Sequence, residues 1–314
     1  MIDFDLVAFG EVALDVMLLG VDRFPRRWSD LGRMKRGGIF PAGSAGYVAQ
    51  CFSKLGGRAA VVGRIGSDSV GRFVVEGFQQ CGVYTQHLVI DKHAETEVST
   101  VVMYVDGNKS SVVSDILPLN LRQLSRKPLT GAGAFHVGGY LLYPELWRKR
   151  VLPWFNFAKR EGALISVDPQ MSATGEWSEP FNGILEHVDL LLLDEEEAKK
   201  ISRRKRVIDA IEALLKAGSR VVAVKAGRKG CIVGGDGRIR TIRPYETRPI
   251  CTIGAGDAFD AAFIYGSLRA WNLSKIGQFA NVVAAISTRT IGCMEAIPRA
   301  AVARKISESY YSRD

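Results

Sequence analysis

Short apolar runs at residues 134–138, 163–167, 188–193 and 220–225 are separated by stretches of helical periodicity such as 146–159. Runs of this kind present no polar face, so the strands they form are covered on both sides. Strand then helix, repeated, predicts an α/β fold with a mostly parallel sheet and helices on both faces. Ligands of such sheets sit beyond the carboxyl ends of the strands. Asp168, Asp194 and Lys225 stand at or just after the ends of three of these runs. His136 lies inside a run and is expected to be a hydrogen-bonded core histidine.

The earlier part of the chain has a different rhythm. Residues 4–10 read as a buried strand, followed by Asp15 and a second apolar run at 16–19. Residues 41–49 open a helix that continues to about Leu55, and 59–66 form a strand and its turn. A further helix is expected over 69–81, with Val70, Phe73, Val74, Gly77 and Phe78 on one stripe. Two β segments, 96–105 and 109–114, are joined by Asp106-Gly107-Asn108, a hairpin signal.

The stretch with the clearest chemistry is 251–259, Cys-Thr-Ile-Gly-Ala-Gly-Asp-Ala-Phe. From Phe259 onward Ala262, Phe263, Gly266 and Ala270 recur at helical spacing, so Gly254, Ala255 and Gly256 lie where a helix opens. The first N–H groups of a helix lack internal partners and carry the positive end of its dipole, and glycine lets an anion approach them. Asp257 does not suit a group that merely holds phosphate, because like charges repel. It suits a base that takes the proton of a hydroxyl about to attack phosphorus. The tetrapeptide alone fits equally well a helix start with an acidic first turn and no ligand.

Composition narrows the setting. At 47% hydrophobic and 24% charged residues, the 314-residue chain can bury a sizeable core as a single unit. Asp3, Asp5, Glu11 and Asp15 interrupt any early apolar segment, and no uncharged stretch approaches the roughly 20 residues of a membrane span. No membrane association and a cytoplasmic location are therefore expected. Five widely spaced cysteines without a C-x-x-C pair, Cys51, Cys81, Cys231, Cys251 and Cys293, argue against a disulfide framework or structural zinc. The net charge of +9 favours anionic ligands. Its basic clusters lie at 23–36 and 203–206, and the second lacks the interleaved aromatics of a nucleic-acid surface, so no nucleic acid is expected. Arg26, Arg27, Arg33 or Arg36 of the first cluster could meet a substrate phosphate.

Residues 251–259 resemble the C-terminal signature D-T-x-G-A-G-D of the ribokinase-like (PfkB) family of carbohydrate and nucleoside kinases. The resemblance covers nearly the whole chain. Residues 41–49 are similar to the family's P-G-G-x-x-x-N-x-A, and Leu55-Gly56, Gly63, Gly66, Asp68 and Gly71 match the L-G and V-G-x-x-G-x-D-x-x-G that follow. Asp168-Pro169-Gln170 resembles D-P-N, Asp194 to Glu197 resembles N-x-x-E, and Lys225-Ala226-Gly227-Arg228-Lys229-Gly230 resembles the nucleotide loop. Asn281 falls on the second C-terminal helix.

The resemblance implies one ribokinase-like domain over residues 1–314, with a discontinuous β lid from about 12–40 and 95–115. It implies Asp257 as catalytic base with Gly254, Ala255 and Gly256 as the anion-binding turn. It places Asp15, Gly43, Tyr47 and Asp168 at the acceptor, and Lys225, Gly227, Gly230 and Asn281 at ATP. Glu197 and Asp194 would organise magnesium through water. Two departures alter the expectation. Tyr47 stands where an asparagine usually meets the sugar, and a phenol cannot reproduce an amide's paired donor and acceptor. Cys251 replaces an aspartate of the monovalent-cation site, which implies weak or no potassium activation.

The activity implied is ATP-dependent phosphorylation of a hydroxyl on a sugar or sugar-like polyol. A nucleoside kinase, with Tyr47, Phe24, Trp28 or Phe40 against a base, and a phosphosugar kinase remain open. So does a catalytically weak ligand-binding member, suggested by Tyr47, Gln170, Asp194 and Cys251 together. The resemblance also leaves open a homodimer paired through the lids.

Overall fold

The structure, a computed structural model, describes residues 4–106, 108–147, 150–292 and 294–312. Asp3, Gly107 and Cys293 therefore lie outside the described residues. The first part of the chain runs β1 (Leu6–Gly10), β2 (Ala13–Val21), β3 (Arg36–Ala42), α1 (Ser44–Leu55), β4 (Ala59–Val62), β5 (Arg64–Gly66) and α2 (Ser69–Gln80). Then come β6 (Val89–Asp91), β7 (Val98–Tyr104), β8 (Lys109–Val113), β9 (Ala134–Gly138), α3 (Leu152–Arg160) and β10 (Leu164–Asp168). The rest is β11 (Leu190–Asp194), α4 (Glu195–Ser202), α5 (Val207–Lys216), β12 (Val221–Lys225), β13 (Cys231–Gly235), β14 (Arg238–Ile242), α6 (Ala255–Ser267), α7 (Leu273–Ser287) and α8 (Ala300–Tyr311).

Eight strands form the main sheet in the order β14-β13-β12-β11-β10-β9-β1-β4. The pairs from β12 through to β4 are parallel, and β13 and β14 add an antiparallel edge. The run at 134–138 is buried at all five positions because both faces are covered. β1 shows how: Leu6 and Ala8 pack into the core that holds α1, α6 and α7, while Val7 and Phe9 face the core that holds α3. Register aligns the carboxyl ends, with Gly138 opposite both Gly10 and Asp168, and Asp194 opposite Lys225. Several candidate residues thus leave the sheet along one edge.

A second sheet, in the order β3-β2-β7-β8, is assembled from two separated segments. β2 and β7 pair in parallel, and β3 and β8 flank them antiparallel. Asp68 ties this sheet to the body. Its carboxylate caps α2 by accepting from Gly71 N at 2.7 Å and also accepts from Thr96 N at 2.7 Å, just ahead of β7.

Some local expectations require adjustment. Phe73 is 38% exposed, so the α2 stripe is narrower than its periodicity implied, with Gly71, Val74 and Phe78 buried. Helix over 146–159 is realised as α3 from Leu152, preceded by a 3-10 turn at Pro144–Leu146. Proline at the start of each element fits, since the missing N–H is not needed there. His136 is only half satisfied: Nδ1 lies 3.1 Å from Ser166 Oγ, and no protein partner meets Nε2. Burial pushes this imidazole down to about 4, so it remains neutral.

Candidate active site

α6 opens on Gly254, which has φ +74° and supplies no side-chain cap. That left-handed turn suits glycine, and the first turn of α6, formed by Ala255, Gly256 and Asp257, lines a cavity. Asp257 is the third residue of α6 and is 9% exposed. Its Oδ1 accepts from Ser44 Oγ at 3.0 Å. Burial, and then the Asp168 charge, push the Asp257 carboxyl up to about 7, against the pull of Lys225 and the Ser44 hydroxyl.

Ser44 begins α1, and its N–H donates to Glu11 Oε2 at 2.9 Å. Gly43 ahead of it has φ +88°, and a Cβ there would lie 2.4 Å from the Glu11 carbonyl oxygen. The small residue thus allows α1 to start against the chain leaving β1. One turn along α1, Tyr47 OH donates to Asp15 Oδ2 at 2.6 Å. Positions three apart share a helix face, so a single turn of α1 addresses both Asp257 and Asp15. Burial pushes the Asp15 carboxyl up to about 6, with the Tyr47 bond opposing. Beside them, burial and the Glu11 charge raise Glu97 to about 10, so this carboxyl keeps its proton against Glu11.

A buried ion cluster sits beneath Asp257. Lys225 Nζ lies 2.8 Å from Asp168 Oδ2 and 3.1 Å from Asp260 Oδ2. Burial disfavours ionisation of Asp168, yet Lys225 and its hydrogen bonds hold that carboxyl down at about 2. Burial and the Asp168 charge raise Asp260 instead, against the pull of Lys225. Asp168, Asp257 and Asp260 approach one another closely enough to offer three oxygens to a cation. The Lys225 ammonium already serves two of the three.

The cavity measures about 1130 Å³ and extends from these groups to residues 244–249, the α7 positions Asn281, Ala284 and Ala285, and Thr288 just after α7. Ten of the fourteen residues singled out from the sequence line it: Asp168, Asp194, Glu197, Lys225, Gly227, Gly230, Ala255, Gly256, Asp257 and Asn281. Gly254 adjoins it at the opening of α6, and Asp15, Gly43 and Tyr47 are gathered on the α1 side. Asn281 Nδ2 donates to the Arg243 carbonyl at 3.0 Å and so anchors the loop leaving β14. Asp194 and Glu197 form a capping box on α4, each carboxylate accepting the other's backbone N–H at 2.7 Å. Burial, then Asp168, push Glu197 up to about 8. Each carboxylate keeps a second oxygen, so the pair fits water-mediated contact with a hydrated cation.

The arginines at 23–36 do not join this constellation. Asp22 and Asp30 accept from backbone N–H groups of Arg33 and Arg27 in the same loop, and Arg26, Arg27, Arg33 and Arg36 are exposed. Ser44, Glu11, Glu97, Asp260 and residues 244–249 were not singled out from the sequence. Asp260 could have been found, because it lies three residues after Asp257 on the same helix face. Ser44 stands inside a recognised motif, but its partner is 213 positions away. Residues 244–249 follow no periodicity.

The model of the pfkB family carbohydrate kinases matches residues 3–300, and the chain belongs to that family. An uncharacterized sugar kinase of Archaeoglobus fulgidus is 29% identical over 79% of this chain and 98% of its own length. The 5-dehydro-2-deoxygluconokinase of Clostridium beijerinckii is 24% identical over 94% of this chain and 90% of its own. Arabidopsis thaliana ribokinase, solved with ribose and ATP, superposes with a TM-score of 0.82 at 21% identity, covering 98% of this chain and 99% of that one. The fold is ribokinase-like, and the protein is a sugar kinase in the general sense. Among the described residues no helix is long and apolar enough to cross a membrane.

Proposed function

We propose that this kinase moves the γ-phosphoryl group of ATP to a hydroxyl of a sugar or sugar-like polyol, with Asp257 as the base. The observation that carries the reading is the buried Asp257 carboxyl in the first turn of α6, which lines the cavity together with Ala255 and Gly256. The acceptor oxygen forms a bond to the γ-phosphorus as the bond to the bridging oxygen of ADP breaks, and its proton passes to Asp257. The N-terminal turn of α6 offers dipoles where charge develops. Asp194 and Glu197 would hold the water shell of a magnesium ion, whose chemistry is to neutralise charge on the phosphate oxygens. The nucleotide would extend along Gly227 and Gly230 to the loop that Asn281 anchors. The sheet β3-β2-β7-β8 is the lid, which excludes water from the phosphoryl group.

Asp15 would accept from acceptor hydroxyls, with Tyr47 fixing which oxygen remains available. Replacing Tyr47 with phenylalanine removes a bond to a charged group worth about 1.5–3 kcal/mol. The expected result is a rise in acceptor KM of roughly tenfold or more with ATP KM unchanged. A shift confined to the ATP KM would place Tyr47 elsewhere.

The reading is tested by following ADP release with magnesium and ATP against free sugars, inositols, phosphosugars and nucleosides, with Asp257→Asn as the blank. Turnover on one class, abolished in the blank, supports it. Bound ATP with no turnover on any class would favour a ligand-binding role. The carboxyls of Asp15, Glu11 and Glu97 around the first turn of α1 favour an uncharged acceptor over a phosphosugar.

A further inference from the structure

We infer that the acceptor of this kinase carries an ammonium group, as an amino sugar or aminopolyol does, and that Glu97 sets this specificity by receiving the ammonium together with Glu11. The inference rests on the kinase reading, which puts the acceptor hydroxyl at Asp257. Leu14 N of β2 donates to the Glu97 carbonyl at 2.9 Å, so Glu97 extends the pairing of β2 with β7 by one residue ahead of Val98. Side chains two apart on a strand share a face, and Ser99 hydrogen-bonds Asp15. Glu97 therefore stands on the face of the lid that holds Asp15. Its carboxyl meets Glu11, and Glu11 Oε2 accepts from the N–H of Ser44, the residue whose hydroxyl reaches Asp257. Glu97 is 2% exposed, and among the described residues its buried Oε1 has no hydrogen-bond partner. Glu11 and Ser99 are half-buried, so a ligand can approach the pair.

Charge balance separates these carboxyls from the others at the site. Asp168 and Asp260 have the Lys225 ammonium between them. The groups that act most strongly on Glu11, Asp15 and Glu97 are one another, Asp168, hydroxyls and backbone N–H groups, with no lysine or arginine among them. Buried like charges without a counter-ion destabilise a site, and a cation on the ligand removes that repulsion. An organic cation suits the place better than a metal ion. Among the described residues only Asp168, Asp257 and Asp260 gather their oxygens as closely as a metal requires. An ammonium has three donors, so it can serve Glu97 Oε1 and Glu11 at once, while the proton that Glu97 holds in the free enzyme leaves to solvent. Asp15, Ser99 and Tyr47 remain for neighbouring hydroxyls of the same acceptor. The carboxyls that disfavour a phosphosugar thus go further and select a positive charge.

The full chain is tested on matched acceptors: glucosamine with glucose, galactosamine with galactose, mannosamine with mannose, and an aminodeoxy-inositol with inositol, each amine also as its N-acetyl derivative. With magnesium and ATP, kcat/KM for the amine of the best pair should exceed that of its hydroxyl counterpart by about tenfold or more, the scale of one hydrogen bond to a charged group. Acetylation, which removes the charge, should abolish the preference. In Glu97→Gln the amide can still donate to Glu11, so the fold should persist while the preference falls by at least about tenfold, chiefly through the KM of the amine. Calorimetry without ATP reads the same affinities independently of turnover. If wild type uses the hydroxyl member as well as the amine in every pair, or if the glutamine variant keeps the preference, the inference is overturned and the kinase reading stands. Should the variant not fold, the acetyl derivatives decide, and a kcat/KM unchanged by acetylation overturns it. A wild type that phosphorylates nothing fails the kinase reading. Amine binding that Glu97→Gln weakens would then still support the ammonium site, and equal calorimetric affinities for amine and hydroxyl members would overturn it as well.

Discussion

Replacement of Asp257 by asparagine is expected to lower kcat by about 10²- to 10⁴-fold, the usual span for loss of a positioned general base. Asparagine has the same shape, and its carbonyl oxygen can still accept from Ser44 Oγ, now 3.0 Å from Oδ1. The start of α6 should therefore keep its geometry, and the change should fall on proton transfer. Affinity for ADP should hold or improve slightly, since one negative charge leaves the phosphate site. The pH profile gives a second check. With the carboxyl pushed up to about 7, Asp257 is protonated and inactive as a base below that point. The wild-type kcat/KM should fall about tenfold per pH unit below about 7 and level off above it. Residual turnover in the asparagine variant should lack that limb. Steady-state kinetics from pH 5.5 to 9 decide the matter, and near-normal turnover at any pH would remove Asp257 from the role.

Much of this site was legible because its residues lie where local rules apply. The runs at 134–138, 163–167, 188–193 and 220–225 became β9, β10, β11 and β12 with shifts of one or two residues, because continuous burial leaves little freedom in reading them. Asp168, Asp194 and Lys225 then fell at strand ends by chain geometry alone. The turn at Gly254 was legible from glycine chemistry. What the sequence concealed is pairing. That Ser44 reaches Asp257 and that the Glu11 charge acts on the buried Glu97 carboxyl are tertiary relations with no periodic signature. Lys225 illustrates the gap well. Its motif suggests a nucleotide ligand, whereas its ammonium is turned towards two carboxylates, an arrangement set by the parallel packing of β10 and β12 around β11 and by α6 above them.

Lys225→Met should therefore be a stability variant before it is a kinetic one. Its ammonium has 15% side-chain exposure and its partners Asp168 and Asp260 have 5% and 0%, so solvent cannot replace the lost cation. Removing one member of a buried pair typically costs about 3–5 kcal/mol because the other charge is left uncompensated. Against a total of roughly 5–15 kcal/mol, that loss is severe. The pH dependence separates this cause from simple loss of packing. In wild type the Asp168 carboxyl is held at about 2, below its unfolded value of about 3.9. It contributes stability that is fully present above about pH 4 and is lost as pH falls towards about 2. Without Lys225 the same buried carboxyl is raised instead of lowered, so it opposes folding when ionised and ceases to do so once protonated. The deficit of the methionine variant should be largest near pH 8 and narrow on acidification towards pH 5. Urea unfolding of both proteins at the two pH values measures it. A deficit under about 1 kcal/mol, well short of the buried-pair range, or one that is the same at both values, would mean that water reaches Asp168 and that the triad carries no net charge coupling.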